Sequence, residues 1–239
     1  MKKNRIILLI TAILTLILCG CAKEENELKE DLLNINYEVV ANEAELSQYE
    51  TENPVVALYI ERYGSVVIEL YPDIAPNTVN NFIYLVKKGF YDNNTFHRLM
   101  PGFVLQGGDP TGIGNGGPGY QIKGEFTDNN FKNNLKHTKG IVSMARTSYS
   151  NDTAGSQFFI MLDEAEHLDG YYASFGKVID GWKNIENIVQ NENVMDAESG
   201  KLRTNLKLKK AIIDLKGKEY KKPEKIIEED YHLFFYLNK

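Results

Sequence analysis

Phe96-His97-Arg98-Leu99-Met100-Pro101-Gly102-Phe103-Val104-Leu105-Gln106-Gly107-Gly108-Asp109 is the stretch on which the reading of this chain turns. It reads as two apolar-rich strands around the turn signal Pro101-Gly102. Arg98, Phe103 and Gln106 fall within or beside those strands. An apolar floor, a charged donor at one edge and an amide next to it suit a shallow groove. On this segment alone, a plain hairpin with Arg98 at its surface is the alternative.

Working outward, residues 55–61 and 65–71 are β-rich runs joined around Tyr63-Gly64, a hairpin signal. Pro76-Asn77-Thr78 opens a helix in which Val79, Phe82, Ile83 and Val86 fall at helical spacing, and Gly89 suits its stop. Residues 141–145, 157–162 and 174–179 read as further short strands. A second helix spans about residues 181–190, with Asp180 placed to cap it and Trp182, Ile185 and Val189 on one face. Residues 206–215 alternate as a last strand. Many short strands, turn signals and two isolated helices predict a closed or nearly closed β-barrel capped by helices.

The N-terminus reads as a targeting segment. Lys2, Lys3 and Arg5 precede an apolar run from Ile6 to Leu18, shorter than the roughly 20 residues that span a bilayer. Residues 1–20 are expected to be a signal peptide, because Leu18-Cys19-Gly20-Cys21 resembles a bacterial lipobox with Cys21 as the lipidated residue. Both cysteines lie in that motif, so a mature chain starting at Cys21 has no second thiol for a disulfide or redox pair. Removal of residues 1–20 takes three of 27 basic residues and none of 33 acidic ones, leaving a net charge of −9. That balance argues against nucleic acid as a partner. Residues 21–53 are acidic, lack glycine and read as a solvated tether, with a short amphipathic helix around Leu28, Leu32 and Leu33 as the alternative. The domain is expected over 54–216 and a C-terminal extension over 217–239, whose apolar end Tyr231-His232-Leu233-Phe234-Phe235-Tyr236-Leu237 suggests packing on the domain.

The usual parts of covalent or metal chemistry are missing from the sequence. Gly112-Ile113-Gly114-Asn115-Gly116-Gly117 spells a dinucleotide motif, but Pro118-Gly119 stands where the helix should begin. It reads as a glycine-rich surface loop that lets a substrate backbone come close. His97, His137, His167 and His232 show no metal spacing, so no metal is expected. Ser143, Ser148, Ser150 and Ser156 lack a nucleophile elbow. Asp163, Glu164 and Glu166 sit in a turn-like stretch that favours solvated carboxylates over an acid/base pair.

What remains is groove chemistry. Phe96-His97-Arg98, Phe103, Gln106-Gly107-Gly108-Asp109, Gly140-Ile141-Val142-Ser143-Met144-Ala145, Gly155-Ser156-Gln157-Phe158-Phe159-Ile160, Leu168-Asp169-Gly170 and Phe175-Gly176-Lys177-Val178 together resemble the cyclophilin family of peptidyl-prolyl isomerases. The resemblance covers roughly residues 54–215 in order. It implies an eight-stranded antiparallel barrel with two capping helices, and an isomerase that needs no cofactor. It also implies Arg98 as the catalytic arginine, supported by Phe103 and Gln106. Met144, Phe159 and Leu168 would join Phe103 in walling a proline pocket. Gln157 would lie along the groove, with Ala145 at its rim. Arg146 stands where asparagine is common, His167 where many eukaryotic members have tryptophan, and Tyr172 where many relatives have histidine. His97 and His137 are read as structural, and strand alternation predicts that His97 points away from the groove if Arg98 points in. Proline-containing polypeptides are the expected substrates, outside the cytoplasm, for a monomer anchored to the membrane at Cys21. A non-catalytic peptide-binding chaperone using the same groove is the alternative.

Overall fold

The computed structural model describes residues 43–226. The signal peptide, Cys21, the tether up to residue 42 and the apolar end of the C-terminal extension lie outside the described residues.

Eight strands close into one antiparallel barrel. They are β1 (Val55–Ile60), β2 (Gly64–Leu70), β3 (Asn94–Met100), β4 (Val104–Asp109), β5 (Ile141–Met144), β6 (Phe158–Met161), β7 (Ser174–Asp180) and β8 (Lys201–Asp214). Their order around the barrel is β1-β2-β7-β5-β6-β4-β3-β8, and β8 returns to β1. Helix α1 (Glu43–Leu46) precedes the barrel, α2 (Pro76–Lys87) follows β2, and α3 (Trp182–Asn191) follows β7. The expected architecture therefore holds, with eight strands and two long helices. One boundary differs by more than two residues: β8 begins at Lys201, five residues before the alternation becomes readable at Leu206.

Side-chain parity explains the barrel. Val56, Leu58 and Ile60 of β1, and Val66, Ile68 and Leu70 of β2, point into the main core. Phe82 carries α2 into an aromatic centre, with its ring 5.0 Å from Tyr91, 5.1 Å from Phe175 and 5.3 Å from Phe158. Such pairs each add about 0.5–1.5 kcal/mol beyond area burial.

The opposite faces of the same strands carry two smaller apolar clusters. Val55, Ala57 and Val67 meet Leu46 on one side of the barrel. This corrects the tether expected to run through residue 53. Leu46 is fully buried, Tyr49 donates its hydroxyl to Asp180 at 2.6 Å, and the Lys216 ammonium donates to the Leu46 carbonyl at 2.8 Å. One leucine among glutamates is enough to dock the segment because an apolar outer face awaits it. The start of the C-terminal extension is docked as well. Gln121 and Ile226 form an antiparallel bridge, and Asn77 exchanges hydrogen bonds with the Glu224 backbone.

The second outer cluster joins Val104, Ile141, Phe159, Met161, Ala165 and Leu168 across β4, β5 and β6. It forms the floor of the site. The helix-cap expectation at Asp180 is also corrected. Asp180 ends β7 and accepts from the Gly181 amide at 2.6 Å, while Gly181, in the left-handed region, is the residue that precedes α3.

Candidate active site

The site starts from a bulge. Phe96 pairs with Gly107, but the next paired residue of β3, Arg98, already pairs with Gln106. One extra residue on β3 leaves Phe96 and Leu99 both in the core and turns His97 and Arg98 to the same outer side. His97 therefore lines the groove beside Arg98. Regular alternation is the wrong rule here, because the bulge resets the parity.

The groove encloses about 500 Å³. Arg98, Phe103, Gln106, Ala145, Arg146, Phe159, Leu168 and Tyr172 all line it. Three residues expected there do not. Met144 is 1% exposed and points into the barrel core with Val142, because β5 sends alternate residues inward and leaves its successor Ala145 outside. Val104 takes the wall position instead. Gln157 stands behind the groove, and His167 lies stacked on Phe103 at 5.7 Å. Ser199 and Lys201 line the groove without having been marked in the sequence. Ser199 lies in the turn before β8, and Lys201 opens β8, where it pairs with Arg98.

Arg98 is held by neutral groups. Its Nε donates to the Ser199 carbonyl at 3.0 Å, one terminal nitrogen donates to Gln106 Oε1 at 3.1 Å, and the other donates to the Met100 sulfur. The guanidinium also lies 6.0 Å from the Phe103 ring centre. Among the described residues it has no carboxylate partner. Burial pulls its pKa below the usual value, yet an arginine remains protonated in a protein.

A directional relay sets this geometry. Gln106 Nε2 donates to Gln157 Oε1 at 3.1 Å, and Gln157 Nε2 donates to the Gly114 and Gly116 carbonyls, each at 2.9 Å. Asp109 then ties the loop from within. It accepts from the Thr111 amide at 2.7 Å, the Thr111 hydroxyl at 2.8 Å and the Gly114 amide at 2.6 Å. Burial opposes its ionisation, but these bonds outweigh burial and hold the carboxyl below its usual range. Gly116 is required at this point, since a Cβ there would sit 2.0 Å from Asp109 Oδ1. The glycine-rich motif is thus a groove wall, with Gly112, Ile113 and Gly114 facing in.

Under the floor lies a polar triad whose serine and histidine are buried. His137 shares its Nδ1 with Asp169 at 2.9 Å and its Nε2 with Ser143 Oγ at 3.0 Å, and its ring stacks on Phe159. Ser143 is fully buried and His137 is 1% exposed, so no substrate reaches this serine. The triad braces the floor.

The chain belongs to the family described as cyclophilin type peptidyl-prolyl cis-trans isomerase/CLD, whose family model matches residues 55–212. It is an isomerase of that kind, an enzyme that needs to make or break no covalent bond. It is 47% identical over 136 residues to peptidyl-prolyl cis-trans isomerase B of Bacillus subtilis, covering 57% of this chain and 90% of that protein. It is 39% identical over 150 residues to a peptidyl-prolyl cis-trans isomerase of Helicobacter pylori, covering 62% and 88%. The fold is similar to a crystal structure of a Cryptosporidium parvum cyclophilin type isomerase in the presence of the dipeptide Ala-Pro. That match has a TM-score of 0.59 and 34% identity, covering 67% of this chain and 98% of the other.

The buried histidines make a prediction about pH. Burial lowers the pKa of His97, and the Asp109 charge only partly offsets it; burial lowers that of His137 likewise, against the Asp169 hydrogen bond. The unfolded chain takes up protons at these sites below about pH 6.5, where the folded protein does not. Their contribution to stability is therefore present above that pH and lost as pH falls. Urea unfolding at pH 7.5 and 5.5 should show a lower midpoint at pH 5.5. An equal or higher midpoint would contradict the assignment of both rings as neutral.

Proposed function

We propose that Arg98 speeds rotation about Xaa-Pro bonds by stabilising the twisted amide, and that the enzyme acts outside the cytoplasm on newly secreted chains, held to the membrane by a lipid on Cys21. The observation that carries the first part is a guanidinium with no carboxylate partner among the described residues, set beside an apolar pocket.

Rotation about an amide bond must cross a barrier of about 18–20 kcal/mol because it breaks conjugation. In the twisted form the proline nitrogen becomes pyramidal and gains a lone pair. A donor aimed at that lone pair binds the twisted form better than either planar form, and such differential binding is what accelerates a reaction. A guanidinium has five N–H donors. Arg98 uses three on Gln106, Ser199 and Met100, which leaves two for the substrate. Phe103, Val104, Phe159 and Leu168 offer the apolar surface that holds the proline ring while the preceding carbonyl turns. Ala145, at the groove rim, is where the substrate backbone passes. The Ala-Pro dipeptide present with the Cryptosporidium relative supports the same class of ligand here.

Uncatalysed proline isomerisation takes tens to hundreds of seconds, slow enough to limit folding. An isomerase tethered at Cys21 would meet chains as they emerge from secretion. The support for this is the lipobox-like Leu18-Cys19-Gly20-Cys21 behind a charged and apolar leader.

Two measurements test these parts separately. In a proline-peptide assay, Arg98→Ala should cut kcat/KM by about 10²-fold or more, as loss of a preorganised donor does, with the urea midpoint little changed. Activity within about twofold of wild type would overturn the mechanism. In cells, a fatty-acid analogue should label the wild-type chain and not Cys21→Ala. Absence of label on the wild type in its native host would remove the anchor.

A further inference from the structure

Among the described residues, the groove is lined by three cations, Arg98, Arg146 and Lys201, and by no carboxylate. This runs against the chain as a whole, which has more acidic than basic residues. None of the three has an ion pair among the described residues. Arg146 is fixed by neutral partners. It donates to the Tyr171 and Thr147 carbonyls, each at 2.9 Å, and lies over the rings of Tyr172 at 4.9 Å and Phe126 at 5.3 Å. Lys201 sits directly across the β3–β8 ladder from Arg98. Like charges placed opposite one another on a sheet repel, and an anion between them relieves the cost.

The nearby acids keep their charges but none of them lines the groove. Asp109 accepts from Thr111 and Gly114 behind the wall, and Asp196, in the turn before Lys201, accepts from the Glu198 and Ser199 amides. Glu198 shares that turn without lining the groove. His97 adds no charge near neutrality, because burial keeps its pKa low. Strand order sets the cations apart. Arg146 lies just past β5 and Lys201 on β8, and β3, which carries Arg98, falls between them in the order β5-β6-β4-β3-β8.

We propose that the groove selects prolines flanked on both sides by aspartate or glutamate, so that acidic unfolded segments are its preferred substrates. This rests on the isomerase reading above, and Arg146 and Lys201 become its specificity-determining residues. At about 0.1 M salt the Debye length is about 10 Å, so cations in the groove outweigh the distant net charge.

The test uses the full chain and three proline peptides that differ only in flanking residues, Glu, Ala or Lys. The expected kcat/KM is about tenfold higher for the Glu-flanked than for the Lys-flanked peptide, as several exposed charge pairs would yield. The gap should close at high salt, narrow in Arg146→Asn, and narrow or reverse in Lys201→Glu. A merely structural role for either residue would move all three peptides alike. An excess below about twofold, a preference for the Lys-flanked peptide, or a gap that salt and both substitutions leave in place would overturn the proposal. Turnover of none of the three peptides would instead overturn the isomerase reading, and the preference with it.

Discussion

Arg98 keeps its charge uncompensated because a glutamine, a backbone carbonyl and a thioether hold it. The rest of the groove follows from that choice of partners. A carboxylate in the same place would bind the guanidinium more strongly and neutralise the donor that the reaction needs. An amide binds it more weakly, but it brings direction. Gln106 must present oxygen to Arg98, so its nitrogen must donate elsewhere, and Gln157 supplies the oxygen. Gln157 must then turn its own nitrogen to acceptors, which are the carbonyls of Gly114 and Gly116. The glycine loop in turn is tied by the one carboxylate in the relay, Asp109, which sits behind it. Orientation is thus passed over several residues without a charge being placed against the guanidinium.

The barrel makes this possible by having two apolar faces over part of its circumference. Along β4, β5 and β6, residues such as Leu105, Val142 and Phe158 fill the core, while Val104, Ile141 and Phe159 build the outer cluster. An outward apolar floor is costly to leave in water, which is why it signals a binding surface. His137 supports that floor from below, with both ring nitrogens satisfied by Asp169 and Ser143. A serine, a histidine and an aspartate in line would suggest hydrolysis, but burial of Ser143 and His137 removes that chemistry.

Much of this was legible in the chain itself. β-rich runs and turn signals marked seven of the eight strands near their observed limits, and Pro76 and Gly89 bracketed α2. Arg98, Phe103, Gln106 and Phe159 came together from distant segments as the matching motifs implied. What escaped has one physical cause, since register between strands is not written in either strand. The His97 bulge, the inward turn of Met144 and the pairing of Lys201 with Arg98 all depend on which residue lies opposite. Lys201, Arg203, Thr204 and Asn205, exposed polar residues around the buried Leu202, hid the start of β8, and the docking of Leu46 depended on an outer face of β1 and β2 that only the closed barrel defines.

In the proposed mechanism a forked, oriented donor acts on the twisted amide, rather than a positive charge alone. Arg98→Lys separates the two, because lysine keeps the charge and loses the planar fork that Gln106 and Ser199 hold. Exchange NMR on a proline peptide with substoichiometric enzyme reads the cis–trans interconversion directly. The account predicts that the lysine variant loses most of the catalysed exchange, by about tenfold or more, while remaining folded. Exchange at the wild-type rate in that variant would contradict it.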